Sequence, residues 1–243
     1  MMDVPVNKVF DATDALDSWY AILDRVGAEG DRQRAPVAGG QMRRWEYAWL
    51  LSQAAPTPGM RAIDIGCDKT MFPVVLRMDG QCESYAVDMN FDENTENWFR
   101  GAGVNPWRCD ALRLPYPDNF FDRVYSVCVG EHIGDTSMRG WYWRTWQEKL
   151  LSGCGMFLKE CVRVLKRGGI TAHTFDFAFP ELGSRPCGFD PEMAAAFLPT
   201  VCGASPVGAA DFSLKSVERS IPECVRDNLA TAHTTVAMIW RKH

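Results

Sequence analysis

The sequence predicts an α/β protein whose mostly parallel sheet is covered by helices on both faces. From Met60 onward, short apolar segments alternate with segments of helical length, which is typical of strand–helix repeats. Several strand segments are continuous apolar runs, as expected for strands buried on both faces. Residues 1–55 precede this alternation. We predict that they form an N-terminal helical cap, or lid, in front of a main domain at residues 56–243.

The apolar pattern indicates seven strands and the helices between them. The predicted strands are 60–65, 83–88, 104–110, 121–130, 170–177, 211–218 and 234–242. The predicted helices are 12–27, 41–53, 70–80, 92–103, 146–166 and one near 190–199. The stretch APTPG breaks the chain before the first strand, LKRGG ends the long helix, and 202–209 is predicted to be a loop.

The composition is that of an ordinary globular protein with a net negative charge. Hydrophobic residues make up 47% of the 243 residues, the formal net charge is −5 and the pI is near 5.4. This balance argues against nucleic acid or a membrane as partner. The start of the chain lacks a signal-peptide core, and the nine cysteines form no CxxC pair, so we predict buried thiols, no metal site and a cytoplasmic location.

Acidic residues end the first two predicted strands at the edge where open parallel sheets bind ligands. Asp88 is placed to accept hydrogen bonds from ribose hydroxyls, and its alternative role is a helix N-cap. In the loop AIDIGCDKT, Asp68 stands where a dinucleotide loop has its second glycine. Its carboxylate would repel a pyrophosphate, whereas S-adenosylmethionine has a ribose, an ammonium and a sulfonium but no phosphate. Asp64 or Asp68 beside that cationic end is electrostatically favourable.

The run AIDIGC…AVD…CDALRLPYPDNFFDRVYSVCVGEHIGD…FLKECVRVLKRGGI resembles the class I S-adenosylmethionine-dependent methyltransferases, in particular their type 11-like domain, over about residues 60–178. The resemblance implies a Rossmann-like, doubly wound, seven-stranded and mostly parallel sheet. It also implies methyl transfer to a small-molecule acceptor, with S-adenosylhomocysteine as product. The family usually has glycines where this chain has Asp68 and Thr70.

The resemblance also assigns cofactor contacts. The methionine moiety would lie against the first loop and the end of the fourth strand, at Asp64, Gly66, Cys67, Asp68, Val127 and Cys128. The ribose would bind Asp88, and the adenine would lie against Met89, Asp110 and Ala111.

Candidate bases follow the fourth strand. His132 is the preferred base or substrate contact, with Glu131 beside it as a second candidate. Asp135 and His173 are further candidates, although His173 lies inside a predicted buried strand, which favours a core role.

Aromatic residues that follow the loop after the fourth strand could line a pocket for the acceptor. Trp141 and Trp143 are candidates for that wall or for a buried helix face, and Phe177 follows the fifth strand. Arg185 could bind an anionic group of the acceptor or stay solvated. Trp45 could close the cofactor site or pack between cap and sheet.

Other functions fit the same pattern. The first alternative is a non-catalytic cofactor- or partner-binding protein on the same fold. A dehydrogenase and a nucleic-acid methyltransferase are further alternatives, opposed by Asp68 and by the acidic net charge. The residues indicate neither the acceptor atom nor an oligomeric state.

Overall fold

A computed structural model describes residues 7–9, 14–29, 40–133, 153–178, 203–211 and 233–243. Within these ranges the strands are β1 (Asn7–Val9), β2 (Arg61–Ile65), β3 (Glu83–Asp88), β4 (Asn105–Arg108), β5 (Phe121–Val127), β6 (Leu165–Ala178), β7 (Ala204–Pro206), β8 (Ala210–Asp211) and β9 (His233–Lys242). The α-helices are α1 (Asp17–Glu29), α2 (Gly40–Ala54), α3 (Phe72–Met78), α4 (Glu93–Gly101) and α5 (Gly153–Val164).

The strands form a single mixed sheet in the order β4-β3-β2-β5-β6-β9-β1-β8, with β7 paired to β9. The five strands from β2 to β6 are parallel, and β9 runs antiparallel to both β6 and β1. The order along the sheet reverses between β2 and β5. This arrangement confirms the predicted Rossmann-like, mostly parallel sheet. In open sheets of this kind, ligands bind beside the point where the strand order reverses.

Helices cover both faces of the sheet, so the sheet is doubly wound as predicted. One face packs against α1 to α4 through buried side chains that include Trp45, Tyr47, Phe72 and Phe99. The other face packs against α5 through Phe157 and its neighbours. Full burial of a large apolar side chain contributes roughly 1.5–3 kcal/mol, so two continuous apolar layers hold the strands in register.

Local signals explain where the helices begin and end. Pro73 lies in the first turn of α3, where a missing N–H costs nothing. Asp92 caps α4 by accepting the N–H of Thr95 over 2.7 Å. Gly103, with a φ of +74°, turns the chain out of α4 toward β4.

Some sequence predictions differ from the structure in extent. The helix predicted to reach Lys166 ends at Val164, and β6 begins at Leu165 instead of Ile170. Leu165 pairs with Phe121 before an irregularity that contains Gly168 at a φ of +75°, so the strand starts before the glycine turn.

The described residues contain nine strands, against seven predicted, because two short strands, β1 and β7, are additional. β1 was not predicted, β7 lies in the predicted loop at 202–209, and β8 is the described start of the strand predicted at 211–218. Two or three residues are too few to carry a periodic pattern. The rest of that strand, the helix near 190–199 and residues 146–152 lie outside the described ranges.

The N-terminal residues contribute both helices and a strand. α1 and α2 lie where the helical cap was predicted, and β1 pairs antiparallel with β9. The division of the chain at residue 55 stays a prediction. None of the helices in the described ranges is long and apolar enough to cross a membrane.

Candidate cofactor-binding site

The candidate site lies at the carboxyl edge of β2 to β5, next to the point where the strand order reverses. Because these strands are parallel, their carboxyl ends meet at one edge. All the residues predicted to contact the cofactor lie at these strand ends or in the loops that follow. The structure therefore brings them together on one side of the molecule.

Gly66 is the point at which the loop after β2 packs against the loop after β5. Its N–H donates to the Val87 carbonyl over 2.7 Å, and its φ is +73°. A Cβ at this position would lie 2.6 Å from both methyl groups of Val129. Glycine is therefore required here for the left-handed backbone and for the close packing of the two loops.

Asp68 has the backbone conformation that a glycine would adopt at its position. Its φ is +46°, and its exposed side chain is at the loop surface. Aspartate tolerates the left-handed region better than most residues. The N–H of Asp68 donates to Asp88 Oδ2 over 3.0 Å. The loop thus keeps a glycine-like backbone without the glycine, and adds a carboxylate.

Asp88 is held in place by two backbone donors. Oδ2 accepts the N–H of Asp68, and Oδ1 accepts the N–H of Asn90 over 2.8 Å. A carboxylate has about four acceptor positions, so two bonds leave capacity for two hydroxyl groups. The side chain is half-buried at the end of β3. These features suit a vicinal diol such as that of ribose.

The predicted adenine contacts lie in two neighbouring loops. Met89 is 59% exposed, unusual for a large apolar side chain. Asp110 is exposed, and its Oδ1 accepts the N–H of Leu112 over 2.9 Å, leaving Oδ2 for a ligand. Ala111 is half-buried, and Arg108 Nε donates to the Met89 carbonyl over 3.1 Å, which ties the loops together.

Asp64 is a buried carboxyl group with an unused acceptor. It is 1% exposed, and its Oδ1 has no hydrogen-bond partner among the described residues. Burial raises the pKa of Asp64 well above its usual value; Arg43 on α2 opposes this and Asp88 adds to it. A buried acceptor without a donor is costly, so this oxygen points to a cationic or N–H-bearing ligand.

Cys67, between Asp64 and Asp68, contributes to the loop through its backbone. The side chain is buried, and burial raises the pKa of its thiol well above the usual value, helped by Asp64 and Asp88. A neutral, inaccessible thiol provides packing rather than chemistry. Cys82, Cys154 and Cys161 are also buried, in agreement with the predicted role of the cysteines.

Val127 and Cys128 end β5 in the middle of the site. Val127 pairs with Thr174 of β6, and the N–H of Cys128 donates to the Thr174 carbonyl over 3.0 Å. Cys128 has a φ of +52°, a conformation that costs free energy for a residue with a Cβ. The surrounding contacts must therefore hold it.

Glu46 of α2 provides one of those contacts, although no sequence pattern indicates it. Its Oε1 accepts hydrogen bonds from Cys128 Sγ at 2.8 Å, Thr174 Oγ1 at 3.0 Å and Thr235 Oγ1 at 3.1 Å. Its Oε2 lies 2.9 Å from Nη1 of Arg43. Glu46 is 1% exposed, so one buried carboxylate joins α2 to β6, β9 and the loop after β5.

His132 lies on a 3₁₀ turn (Gly130–His132) directly after the loop of Cys128. It is exposed, so its imidazole is accessible to a bound molecule. Gly130 is buried there, and a Cβ on it would lie 2.6 Å from the Phe175 ring, which fixes the turn close to β6. Glu131 belongs to the same turn, but its side chain lies outside the described part of the structure, as does Asp135.

His173 is a core residue and is unsuited to act as a base. It is fully buried in β6, and its nitrogens share hydrogen bonds with Ser126 Oγ at 2.7 Å and Thr171 Oγ1 at 2.6 Å. Burial lowers the pKa of His173 to about 3, so the ring is neutral near pH 7. The core role favoured by its place in a strand is confirmed.

The predicted acceptor residues are mostly outside the described ranges. This applies to Trp141, Trp143 and Arg185, and to the side chain of Phe177, whose backbone belongs to β6. Trp45 is described and has no exposed surface; its Nε1 donates to Asp14 Oδ2 over 2.9 Å and its ring stacks on Trp49. The packing role for Trp45 is therefore the observed one.

The charges along the edge fit S-adenosylmethionine better than a dinucleotide. Carboxylates dominate it, at Asp64, Asp68, Asp88 and Asp110. The nearby Lys69 lies 3.4 Å from Asp92, so its charge is partly balanced. A pyrophosphate would be repelled here, whereas an ammonium and a sulfonium would be attracted. No group of three or more His, Cys, Asp or Glu within the described residues could hold a metal ion.

Comparison with known proteins agrees with this geometry. Residues 63–142 match the family model described as a methyltransferase domain. The ubiquinone/menaquinone biosynthesis C-methyltransferases of Bordetella parapertussis and Bordetella avium are 30% identical over 118 and 115 residues, which is 45% of this chain and 44% of theirs. The chain thus matches less than half the length of these curated relatives.

Solved structures share the fold across most of the chain. The cyclase SpnF gives a TM-score of 0.58 at 16% identity, covering 98% of both chains. Phosphoethanolamine N-methyltransferase 2 of Haemonchus contortus, in complex with S-adenosyl-L-methionine, gives 0.56 at 16% identity, covering 93% of this chain and 57% of that one. At such identity the likeness concerns the fold alone, and a cyclase and a methyltransferase share it.

Proposed function

We propose that this chain, which belongs to the class I S-adenosylmethionine-dependent methyltransferases, transfers a methyl group from S-adenosylmethionine to a small-molecule acceptor. The observation that carries the proposal is the buried Oδ1 of Asp64, which has no hydrogen-bond partner among the described residues. It lies at the reversal point of the sheet, in a carboxylate-rich edge that attracts a cation and repels a phosphate.

We assign the cofactor contacts as follows. Asp88, oriented by two backbone donors, would hold the ribose hydroxyls. Met89, Ala111 and Asp110 would hold the adenine, and the methionine moiety would lie against Asp64, Gly66, Cys67, Asp68, Val127 and Cys128. When bound, S-adenosylmethionine supplies a methyl group already activated by its positively charged sulfur. The protein then has to align the acceptor and, for a hydroxyl acceptor, accept its proton.

His132 is the residue proposed to accept that proton. It is exposed on the turn directly after β5, beside the loop that would support the methionine end. Glu131 on the same turn is the second candidate. Trp141, Trp143, Phe177 and Arg185 remain proposed acceptor contacts. The cytoplasmic location and the domain boundary also stay predictions.

Calorimetric titration of the purified chain tests the proposal. We expect saturable binding of S-adenosylmethionine and S-adenosylhomocysteine, and none of NAD. Absence of binding for both sulfur compounds would overturn the cofactor assignment. If both bind, transfer of labelled methyl to a panel of phenols, quinols, amines and carboxylic acids tests the activity. Tight cofactor binding without transfer to any acceptor would favour the non-catalytic alternative.

Replacing His132 by Ala tests its proposed role. Since a general base contributes roughly 100- to 10,000-fold, kcat should fall within that range for a hydroxyl acceptor while the Kd of S-adenosylhomocysteine stays the same. His243→Ala is the matched control, because His243 is exposed and bonds Ser205 Oγ over 2.6 Å on a different part of the sheet. Equal losses in kcat and cofactor affinity would make His132 a structural residue.

A further inference from the structure

Glu46 connects helix α2 to three strands of the sheet through one carboxylate. Its Oε1 accepts hydrogen bonds from the side chains of Cys128, Thr174 and Thr235. These partners lie directly after β5, in β6 and in β9, which are 82, 128 and 189 residues further along the chain. The other oxygen, Oε2, forms the ion pair with Arg43 on α2.

The carboxylate of Glu46 is occupied within the protein. Donors surround both oxygens, three at Oε1 and one at Oε2, and a carboxylate has about four acceptor positions. The residue is also buried, so a bound acceptor does not reach it. Such a group holds its neighbours in place instead of exchanging protons with a ligand. Any influence of Glu46 on a reaction must therefore act through one of its partners.

Cys128 is the partner through which that influence reaches the candidate site. It begins the loop after β5, and its φ of +52° is unfavourable for a residue with a Cβ. Two hydrogen bonds hold this conformation. The backbone N–H donates to the Thr174 carbonyl over 3.0 Å, which fixes the backbone to β6, and Sγ donates to Glu46 over 2.8 Å, which fixes the side chain to α2.

The loop that begins at Cys128 leads directly to the proposed base. His132 closes the 3₁₀ turn, and its N–H donates to the Val129 carbonyl over 3.0 Å. Val129 packs against the loop after β2, and Gly130 lies so close to the Phe175 ring that a Cβ would be 2.6 Å from it. A different backbone direction at Cys128 would disturb both contacts and displace His132.

We propose that Glu46 is a positioning residue for methyl transfer: by holding the Cys128 side chain, it fixes the direction in which the chain leaves β5 and so places the turn that carries His132. This inference rests on the proposed function, in which His132 accepts the proton of the acceptor. A misplacement of about 1 Å can lower a rate roughly 100-fold, so a single hydrogen bond next to the turn is sufficient to control the reaction.

The test compares two substitutions that each remove one donor to the same oxygen, Oε1 of Glu46. Cys128→Ala removes the bond from the loop after β5, and Thr235→Val removes the bond from β9. Thr235 is fully buried, and valine has nearly the same shape, so the packing is retained. A purely structural Glu46 predicts similar results for both variants, whereas a positioning role predicts that only Cys128→Ala affects the turn.

Amide hydrogen exchange of the full chain, followed by NMR, reports on the turn without a ligand. Loss of a hydrogen bond to a charged group changes an equilibrium by roughly 10- to 100-fold. The N–H groups of residue 128 and His132 should therefore exchange faster by roughly that factor in Cys128→Ala. In Thr235→Val both rates should stay within about threefold of the unaltered protein. Equal acceleration in both variants, or none in Cys128→Ala, would overturn the inference.

Turnover with an acceptor methylated in the panel gives the second measurement. In Cys128→Ala, kcat should fall roughly 10- to 100-fold, while the Kd of S-adenosylhomocysteine stays within about threefold because the lost side chain binds α2. Thr235→Val should keep kcat within about threefold. Cys128→Ser restores a donor to Glu46 and should recover most of the lost rate. Without that recovery, the hydrogen bond would not be the cause of the loss.

A double-mutant cycle tests whether the effect passes through His132. In the His132→Ala background, Cys128→Ala should lower kcat by less than about threefold, because the residue to be positioned is already absent. Full, independent losses from the two substitutions would overturn a role for Glu46 that acts through His132.

These measurements also separate this inference from the proposed function. If neither S-adenosylmethionine nor S-adenosylhomocysteine binds, the proposed function fails, and faster exchange in Cys128→Ala alone would still support Glu46 as the residue that positions the turn. If methyl transfer occurs and Thr235→Val loses as much activity as Cys128→Ala, Glu46 is a structural residue and the proposed function stands.

Discussion

The two carboxyl groups that end β2 and β3 have opposite surroundings. Asp88 is half-buried and accepts backbone N–H groups on both oxygens. Asp64 is buried, and one of its oxygens has no partner among the described residues. The first is satisfied before any ligand binds, whereas the second is not. Aspartates near the ends of two neighbouring strands thus have different surroundings on the ribose side and on the methionine side.

This difference indicates two ways of building a binding site. Asp88 needs no rearrangement, so hydroxyl groups that bind it gain nearly the full value of their hydrogen bonds. Asp64 destabilises the cofactor-free protein, because its buried Oδ1 has no donor among the described residues. A cation at Asp64 would restore that lost stability, so occupancy and folding are coupled more strongly on the methionine side.

The largest effect is expected from Asp88→Ala. The change removes a charged acceptor for two hydroxyl groups, each worth roughly 1.5–3 kcal/mol, and releases the N–H of Asp68. Calorimetry should show the affinity for S-adenosylhomocysteine falling by about 100-fold or more. Asp79→Ala, at an exposed ion pair with Arg25, serves as control. An unchanged Kd would show that Asp88 does not bind the ribose.

Asp64→Asn should have opposite effects on cofactor binding and on the stability of the protein. We expect cofactor affinity to fall by about 10-fold, since the charge that attracts the ammonium is lost. The empty protein should become more stable at pH 8 by about 1 kcal/mol, which raises Tm by about 2–4 °C in a chain of this size.

The stability gain of Asp64→Asn should depend on pH. Burial raises the pKa of Asp64 in the folded state, so the folded protein binds its proton more tightly than the unfolded chain. Binding of this proton stabilises the folded state fully below pH values of about 4, the pKa of the carboxyl in the unfolded chain. The stabilisation is lost as the pH rises through the pKa of the folded state. The difference in the free energy of unfolding between Asp64→Asn and the unaltered protein should therefore increase from pH 4 to pH 8. A variant less stable at every pH would mean that attraction to Arg43 outweighs the cost of burial.

A smaller loss is expected from Asp110→Ala. One exposed carboxylate contact to the adenine amino group is removed, so affinity for S-adenosylhomocysteine should fall about 3- to 10-fold. S-inosylhomocysteine, which lacks that amino group, should bind the variant and the unaltered chain alike. An equal loss for both ligands would assign Asp110 to loop structure.

The smallest effects concern Asp68. Its φ of +46° is easier for glycine than for alanine, so Asp68→Gly should be more stable than Asp68→Ala by about 1 kcal/mol. Both variants keep the N–H that Asp88 accepts, so affinity for S-adenosylhomocysteine should stay within about threefold of the unaltered protein. Thermal unfolding and calorimetry give the two quantities. Equal Tm values would show that the loop changes conformation once the aspartate is removed.

The sequence predicted features that depend on neighbouring residues. The parallel strands, the strand-end acids and the glycine loop each leave a local pattern, and the structure places them at one edge. The left-handed backbone of Asp68 follows from its place in a glycine position, although only the structure shows how Asp88 supports it.

Features that depend on distant residues were not predicted. The segment RRWEY is typical of an ordinary helix, yet its Glu46 binds Thr174 and Thr235. The spacing of Arg43 and Glu46 signals an ion pair within the helix but not its place in the site. Nor does the sequence show that Asp64 Oδ1 has no donor among the described residues, because the burial of this side chain depends on residues that are distant in the chain.

The pairing of β1 with β9 has a consequence for the order of folding. Lys8 lies opposite Ala237, so the first described strand finds its partner in the last one. β9 also fills the position between β6 and β1, which means that this half of the sheet is incomplete until β9 has been synthesised. Such a high contact order slows folding and leaves the β6 edge open on the ribosome. We expect hydrogen exchange during refolding to protect β2, β3 and β5 first, and α2 only together with β9.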